Sequence, residues 1–332
     1  MRKALVVGIS KYKNAKDLPC CVNDAKAVKD ILRTHSDEKL NFTIINPTFD
    51  VATRNGLLSE IKKLFSGSAE TDIVLFYFSG HGGFDSDRKD GYIVTTDDSA
   101  GNTIRMSEIL SVVNASKIRN KVVILDCCHA GAMGNITKTT AALEEGVTIL
   151  SASKFDEISL SGNPYSVFTS LLLDALNGGA TDLSGHVTAG GVYAYIDKAL
   201  GPSGQRPVFK TNTAQFLPLR ETKPPIALSI LRKLSTYFNN ATDDYGLNPS
   251  YEFTNIKDNE DGHRNQEPYA LPKNVDIFED LKALNKVGLI VPNCDELPMK
   301  ERYMYFAAME SKSCKLTPLG RFYWKLAKDN KI

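Results

Sequence analysis

Two short apolar runs in the sequence end in residues that can do covalent chemistry. The run Ile73–Ser79 leads into a glycine-flanked histidine, His81, and the run Val122–Leu125 leads through an aspartate into Cys127 and Cys128. Both runs are rich in branched or aromatic residues and are typical of buried strands. In an open sheet of parallel strands, ligands bind beyond the carboxyl ends of the strands. The two tips are therefore expected to share one cleft, where an imidazole meets a thiol.

A thiol beside an imidazole is the pair that nucleophilic acyl transfer requires. A cysteine is only a few per cent ionised at neutral pH, and an imidazole can take its proton or stabilise the thiolate. The glycines around His81 let the main chain approach a substrate closely. The main-chain N–H groups of Gly82 and Cys128 are candidates for holding a developing oxyanion. The pattern predicts a nucleophile, a base and oxyanion donors in one cleft.

The segments that must position these residues predict an α/β fold. Further strand-like runs at Ala4–Gly8, Phe42–Ile45 and Val147–Leu150 alternate with helical patterns at Asn23–Arg33 and Val167–Leu176. Parallel strands need crossover connections, and helices in those crossovers cover both faces of the sheet. We therefore expect a mostly parallel sheet flanked by helices on both faces.

With these residues in place, the chain resembles a caspase-type cysteine peptidase, in particular the metacaspases and the prokaryotic caspase-like branch. Ser79-Gly80-His81-Gly82 matches the histidine motif, and the letters D-C-C-H-A-G match the cysteine motif D-x-C-H-S-G, with Ala130 in place of serine. His81 precedes Cys128 by 47 residues, close to the roughly 50 expected for this class. The resemblance covers about residues 1–220 and implies a caspase-like fold with a Cys-His dyad.

The resemblance assigns the nucleophile to Cys128 and the general base to His81. The thiol of the family directly precedes the histidine of the cysteine motif, here His129. Cys127 would then point elsewhere, because side chains alternate between the faces of a strand. The alternative is that both cysteines are core residues, which is the usual place of a free thiol.

The resemblance also implies specificity for basic substrates. Metacaspases accept Arg or Lys in an acidic pocket, and Asp24 and Asp126 stand at the matching positions, with Ser79 as a further lining residue. Two carboxylates suit a guanidinium, which donates paired hydrogen bonds. The alternatives are that Asp24 is the N-cap of the Asn23–Arg33 helix and that Asp126 orients its own loop.

The sequence predicts no cofactor and no required metal. Calcium-dependent metacaspases carry a cluster of aspartates, because calcium takes several oxygen ligands. Asp90 matches one member of that cluster, whereas Arg105 and Asn135 stand near positions where other members are expected. Four more acidic residues of this region could still bind an ion: Asp85, Asp87, Asp97 and Asp98.

Composition and charge exclude several classes of protein. The 332 residues are 42% hydrophobic and 24% charged, which suits a folded globular protein rather than a disordered or fibrous one. The 40 basic and 39 acidic side chains give a net charge of +1, so no global field attracts nucleic acid or a membrane.

The apolar runs are far shorter than the roughly 18 residues that cross a bilayer. Two adjacent cysteine pairs among six cysteines lack the spacing of a disulfide framework, so we expect reduced thiols in the cytoplasm.

A second domain is expected after the proline pair Pro224-Pro225, which cannot continue a helix. The predicted domains are 1–221, the peptidase, and 222–332, a smaller α+β unit. Within the second, Asn239–Asn274 is predicted to be mainly loop.

The last part of the second domain weakly resembles a winged helix-turn-helix. The pattern predicts a helix at Ile277–Val287, a strand at Tyr303–Met309 and a final helix with Phe322, Tyr323 and Leu326 turned inward. Its 16 basic and 15 acidic residues argue against strong phosphate binding. We expect a regulatory or sensing module that responds to a ligand or a protein rather than to nucleic acid.

These observations predict a cytoplasmic cysteine endopeptidase that cleaves proteins after Arg, less often Lys. Lys138, in the polar loop Gly134–Glu145, is a candidate self-processing site, and an uncut active-site loop is the alternative. The resemblance implies a place in stress responses, regulated death or anti-phage defence. Two rivals stay open: a catalytically silent caspase-fold scaffold that binds peptide, and a winged-helix regulator whose first domain only senses a signal.

Overall fold

A computed structural model of the protein describes most of the chain as two compact units, Met1–Lys223 and Pro224–Ile332. No helix in the described part of the chain has both the length and the apolar character that a bilayer crossing needs. The described residues are 1–46, 48–49, 52–67, 72–97, 102–127, 143–152, 164–201, 207–213, 215–257, 265–295 and 303–332.

The first unit alternates strands with helices along the chain. Its strands are β1 (Arg2–Gly8), β2 (Thr43–Ile44), β3 (Thr48–Phe49), β4 (Ile73–Ser79), β5 (Gly82–Asp85), β6 (Asp90–Val94), β7 (Thr103–Arg105), β8 (Asn120–Asp126), β9 (Val147–Ser151), β10 (His186–Val187), β11 (Val208–Asn212) and β12 (Arg220–Glu221). Its helices are α1 (Cys21–Arg33), α2 (Arg54–Phe65), α3 (Met106–Ala115), α4 (Val167–Asp174), which continues into a π-helical turn, and α5 (Ala189–Leu200).

A seven-stranded sheet forms the centre of the first unit. The strand order is β11-β9-β8-β4-β1-β2, with the short β3 also paired to β1. The pairings among β1, β2, β3, β4, β8 and β9 are parallel, and only the edge strand β11 runs antiparallel to its neighbour β9. Two small antiparallel sheets, β5-β6-β7 and β10-β12, lie apart from it. The predicted mostly parallel sheet is confirmed.

Alternating residues of each strand supply two separate cores, one on each face of the sheet. In β1, Leu5 and Val7 pack with α2 and α3, whereas Ala4 and Val6 pack with α1, α4 and α5. All seven residues of β4 are buried, because the sheet has helices on both faces. The prediction of helices flanking both faces is confirmed as well.

Gly8 lets helix α1 lie close against the end of β1. A Cβ atom at Gly8 would lie 2.3 Å from the carbonyl oxygen of Cys21 and 2.6 Å from Cβ of Ala25. Gly8 also pairs in register with Ser79 of β4. This close approach brings the first turn of α1 to the carboxyl ends of β1 and β4.

The second unit combines five helices with a three-stranded antiparallel sheet in its described part. The sheet order is β13-β15-β14. In chain order the elements are α6 (Leu228–Arg232), α7 (Leu234–Tyr237), β13 (Asp244–Gly246), α8 (Pro272–Lys286), β14 (Ile290–Pro292), α9 (Met304–Met309), β15 (Ser313–Leu316) and α10 (Pro318–Lys328).

Two predictions for the second unit are wrong. The run Tyr303–Met309, predicted as a strand, contains helix α9, because Met304, Ala307 and Ala308 are buried with helical spacing; short apolar runs leave the two periods ambiguous. Phe322, predicted to point inward, is 60% exposed. On the same helix, Trp324 contacts the rest of the unit, and its Nε1–H donates to the carbonyl of Phe238 at 2.6 Å.

The stretch Asn239–Asn274 lies mainly outside helices and strands in its described part, as predicted. It contains β13, a 3₁₀ turn at Pro249–Tyr251 and the first turn of α8. Proline at the start of α8 fits the first turn of a helix, where no partner for its missing N–H is needed. The winged-helix resemblance of the unit stays a prediction.

The close approach at Gly8 predicts a loss of stability in Gly8→Ala. The added methyl group must displace the main chain of α1, and overpacking of this kind costs about 1–3 kcal/mol of unfolding free energy. Gly246→Ala is the matched control, because its Cβ would have no atom within 4 Å. Denaturant unfolding followed by circular dichroism should show a lower midpoint for Gly8→Ala alone; equal midpoints for both variants would contradict the packing argument.

Candidate active site

The pairing of β4 with β8 brings the two predicted motifs to the same edge of the sheet. Ser79 and Asp126, the last residues of these strands, are parallel partners in register, and the main-chain N–H of Gly80 donates to the carbonyl of Asp126 at 3.3 Å. His81 lies two residues beyond β4, and Cys127 directly follows β8. Cys128 lies outside the described residues, together with His129, Ala130, Asn135, Lys138 and Asp98.

His81 is held on two sides by the segment that follows β1. Its Nε2 lies 2.7 Å from the carbonyl oxygen of Lys16, and its main-chain N–H donates to the hydroxyl of Tyr12 at 2.8 Å. The Tyr12 and His81 rings are also in contact, with centroids 4.7 Å apart. A carbonyl oxygen can only accept, so a neutral His81 carries its proton on Nε2 and keeps the lone pair on Nδ1. Nδ1 is therefore the nitrogen that can act as a base.

The glycines of the histidine motif have two separate structural roles. A Cβ atom at Gly80 would lie 2.6 Å from the hydroxyl of Tyr12, so this position must stay small for Tyr12 to reach His81. Gly82 pairs with Ile93, and the N–H of Val94 donates to the carbonyl of His81. That bond makes Gly82 and Ile93 a non-hydrogen-bonded pair, which directs the N–H of Gly82 away from the β5–β6 ladder.

Cys127 belongs to the hydrophobic core. Its side chain is buried in the same cluster as Val123 and Leu125, which precede it on β8 with the spacing of residues on one face. Such a thiol behaves as a small apolar side chain. Among the two adjacent cysteines, the described one is thus committed to packing.

The two predicted pocket carboxylates lie beside the motif and share one partner residue. Asp24 accepts from the hydroxyl of Ser79 at 3.0 Å and from the main-chain N–H of Ser166 at 2.9 Å. Asp126 accepts from the hydroxyls of Ser166 at 2.5 Å and Thr169 at 2.6 Å. Ser166 is the N-cap of α4, so the positive end of that helix faces both carboxylates.

Burial raises the pKa values of both carboxyl groups. Asp24 is fully buried, and burial together with the neighbouring charge of Asp126 raises its pKa to about 8. Burial also raises the pKa of Asp126. The hydrogen bonds from Ser166 and Thr169 lower it, but burial is the larger effect. Two acids in one site resist joint ionisation, because each charge disfavours the other. A cation between or beside them would favour their charged forms.

The alternative role of Asp24 as the N-cap of its helix is wrong. Helix α1 begins at Cys21 with Cys20 as its N-cap residue, so Asp24 lies inside the first turn and its carboxylate bonds to other elements. Asp126 accepts from the N-terminal region of α4, and its alternative role in orienting its own loop stays open because residues 128–142 lie outside the described residues.

Sequence reasoning missed four groups that hold the site together. The hydroxyl of Tyr12 and the carbonyl of Lys16 position His81, while Ser166 and Thr169 position the carboxylates. A main-chain carbonyl leaves no trace in the sequence. The N-cap pattern of Ser166 before an apolar run was the one available signal.

Three acidic residues of the β5–β7 region accept hydrogen bonds from other side chains of the protein. Asp85 accepts from Arg88 and Arg105, Asp90 accepts from the hydroxyl of Ser107 at 2.5 Å, and Asp97 accepts from Thr95 at 2.6 Å. Arg105, which stands near a position where the family pattern expects an acidic residue, thus donates to Asp85.

Comparison with known proteins agrees with this arrangement. The model of the caspase-domain family, Peptidase C14, matches residues 1–215, which is more than half of the chain. The chain belongs to the caspase family. The resemblance predicted from the two motifs is confirmed.

The relatives of this caspase-family chain include metacaspases. Metacaspase-1 of Schizosaccharomyces pombe is 26% identical over 198 residues, covering 51% of this chain and 46% of the relative. Metacaspase-1 of Mycosarcoma maydis is 24% identical over 195 residues, covering 51% and 48%. The chain thus spans about half the length of these curated relatives.

A solved caspase shares the fold. The crystal structure of caspase-1 from Spodoptera frugiperda superimposes with a TM-score of 0.50 at 11% identity, covering 67% of this chain and 90% of that chain. At this identity the similarity shows the fold alone.

The raised pKa of Asp126 predicts that Asp126→Asn stabilises the fold at neutral pH. An amide oxygen can accept from the same two hydroxyls without the cost of a buried charge. A carboxyl whose pKa is higher in the folded state contributes stability below its unfolded pKa of roughly 3.9, and this contribution is lost as the pH rises. The thermal unfolding midpoint of Asp126→Asn should exceed that of the wild type at pH 7–8, and the gap should shrink towards pH 4.

Asp87→Asn serves as the control, since Asp87 is exposed and its loss should give no such pH-dependent gap. A midpoint for Asp126→Asn that falls below the wild type as the pH rises would show that the charge stabilises the fold.

Proposed function

We propose that this caspase-family protein is a cysteine endopeptidase that cleaves proteins after Arg, less often Lys. Cys128 is the nucleophile and His81 is the general base and acid. The strongest support is the juxtaposition at one sheet edge of an oriented imidazole, His81, with the buried carboxylates of Asp24 and Asp126. The Cys128 assignment rests on the motif and on the register of β4 with β8, which leads the chain towards the same edge.

The chemistry follows from the proton positions on His81. With Nε2–H donating to Lys16, Nδ1 takes the thiol proton of Cys128, and the thiolate attacks the carbonyl carbon of the scissile bond. The main-chain N–H groups of Gly82 and Cys128 donate to the oxyanion of the tetrahedral intermediate. When the intermediate collapses, the leaving amine takes the proton from His81, and the acyl group stays on sulfur. His81 then removes a proton from water, which hydrolyses the thioester and restores the thiol.

The carboxylate pair supports the specificity for basic substrates. A guanidinium supplies the positive charge that two buried acids lack, and it can donate to both of them because its donors form a rigid fork. Ser79 and Ser166 hold Asp24 at fixed distances, so the pocket is ordered by neutral donors that do not cancel its charge. An acidic substrate side chain would place a further like charge beside this pair and be repelled.

The proposal extends to the second unit as a control module in a cytoplasmic protein. Helix α8 carries three lysines and three acids, and the unit as a whole has 16 basic and 15 acidic residues, which favours a protein or small-molecule signal over nucleic acid. The metacaspase relatives support protein substrates. A place in stress or anti-phage defence, and self-cleavage at Lys138, belong to the same proposal.

The nucleophile assignment predicts opposite results for two neighbouring thiols. Cys128→Ala should lower kcat/KM on an Arg-containing peptide by about 10³-fold or more, since no other group supplies the nucleophile. Cys127→Ala should stay within about tenfold of the wild type, because the side chain of Cys127 is buried in the hydrophobic core. Comparable activity of Cys128→Ala and the wild type would reject the nucleophile.

The pocket assignment predicts a loss of selectivity in Asp24→Asn. Removing one charge of a buried ion pair costs about 2 kcal/mol or more, equivalent to about 30-fold in kcat/KM for an Arg substrate. The same substitution should change cleavage of an uncharged substrate far less. A peptide library screened with both proteins measures this, and predominant cleavage after Asp by the wild type would refute an acidic pocket.

If the second unit controls activity, a chain ending at Lys223, where the first compact unit ends, should cleave a peptide at a different rate from the full chain. Cleavage by this shortened chain is compared with that by the full chain at equal concentration. Equal rates would remove the case for control by the second unit.

A further inference from the structure

Two thiols and a carboxylate meet at the start of helix α1, outside the proposed catalytic dyad. The sulfur atoms of Cys20 and Cys21 and a carboxylate oxygen of Asp24 all lie within 4.8 Å of one another. Among the described residues, this is the group of potential ligand atoms close enough to hold a metal ion. The site differs from the oxygen-rich calcium cluster of the family in both position and donor type.

Local backbone structure explains why these three residues converge. Cys20 is the N-cap residue of α1 and Cys21 its first residue, so Asp24 follows them by four and three positions. Residues at these spacings lie on the same face of a helix. Gly8 allows α1 to pack closely against β1, so the cluster lies next to the main sheet.

The donor set favours a particular class of metal. Two thiolates and a carboxylate are ligands for zinc, whereas calcium and magnesium take oxygen ligands alone. In a tetrahedral site with Zn–S bonds of about 2.3 Å, ligand atoms lie on the order of 3.7 Å apart. Closing the cluster from separations of at most 4.8 Å therefore takes side-chain movements of at most about 1 Å.

We propose that Cys20, Cys21 and Asp24 form a zinc-binding site. The three side chains supply three ligands and leave the fourth position open, as in zinc sites that accept an exchangeable ligand. Cys21 and Asp24 are buried, and Cys20 is partly exposed, so the ion enters from the side of Cys20. Binding releases the protons of the two thiols, and any proton on Asp24, to solvent, and the two thiolates balance the charge of the dication.

The position of the site gives it a consequence for catalysis, which rests on the proposed function. Asp24 is one of the two carboxylates proposed to receive the guanidinium of the substrate. A zinc ion coordinated by Asp24 occupies the carboxylate oxygen that the guanidinium would otherwise contact, and so removes that acceptor. Zinc at this site is therefore a competitive inhibitor of cleavage after Arg or Lys.

Direct binding tests the site independently of any peptidase activity. The full-length Cys128→Ala protein, which lacks the proposed nucleophile as a competing thiol, is titrated with zinc against a chromophoric chelator. It should bind one equivalent, and cadmium in place of zinc should give thiolate-to-metal absorption. Adding Cys20→Ser should weaken zinc affinity by about 100-fold or more, because loss of a direct ligand should match at least the upper end of the 10–100-fold cost of losing an outer-shell partner.

The matched control is Cys294→Ser in the same background, since Cys294 is a buried thiol of the second unit. It should bind zinc as tightly as its parent. Thermal unfolding verifies that each variant folds, and Asp24→Asn provides a second ligand variant of the same size. Unchanged zinc affinity in both Cys20→Ser and Asp24→Asn, or the absence of a one-to-one complex in the parent, would overturn the site.

A kinetic arm tests the link to the pocket. With Cys128 intact, low zinc should raise KM for an Arg peptide in the wild type, and Cys20→Ser should need about 100-fold more zinc for the same effect. Equal inhibition of the two proteins would overturn the link while leaving the binding result in place. If the chain cleaves no peptide at all, the proposed function fails and the titration still decides the metal site.

Discussion

The parallel register between β4 and β8 is the constraint on which the site depends. Because Ser79 lies opposite Asp126, the histidine motif and the cysteine motif leave the sheet side by side. A shift of one residue would turn the side chains of one strand to the opposite face. Both strands are buried on both faces, so such a shift would also place core residues against the wrong helices. The same hydrophobic packing that stabilises the sheet thus fixes which reactive residues can meet.

The buried carboxyl pair Asp24 and Asp126 carries an electrostatic cost that the proposed function explains better than fold stability does. Asp24 is fully buried and its pKa is raised to about 8, and the charge of Asp126 contributes to that shift. Evolution of a stable fold alone would favour neutral side chains at such positions, because unpaired buried charges destabilise a protein. Ser79, Ser166 and Thr169 hold the two acids in place without neutralising them. This arrangement suits a cationic ligand that arrives from outside.

The sequence predicted the features that arise from local patterns and missed those that arise from distant contacts. Buried strands such as Ile73–Ser79 follow from composition, and the family resemblance pointed to His81, Asp24 and Asp126 as candidate site residues. Ser166 contacts Asp24 from 142 positions away, and nothing in either segment indicates the other. The Lys16 carbonyl that orients His81 is equally invisible, because every residue carries one.

Errors in the second unit have a related cause. The run Tyr303–Met309 is too short to separate the helical period from the strand period, and only the tertiary burial of Ala307 and Ala308 shows that it is helical. Phe322 fits the apolar stripe of α10, yet Gly320 and Ala327 occupy the buried face. Small residues that allow close packing are weak signals in a hydrophobicity pattern.

The central claim is that a thiol at position 128 is activated beside a pocket for basic side chains. Its most direct test is mass-spectrometric mapping of the full-length protein after reaction with a peptidyl-Arg chloromethyl ketone and with the matching Asp reagent. The account predicts a single adduct on Cys128, formed faster with the Arg reagent. An adduct on another cysteine, or faster reaction with the Asp reagent, would contradict it.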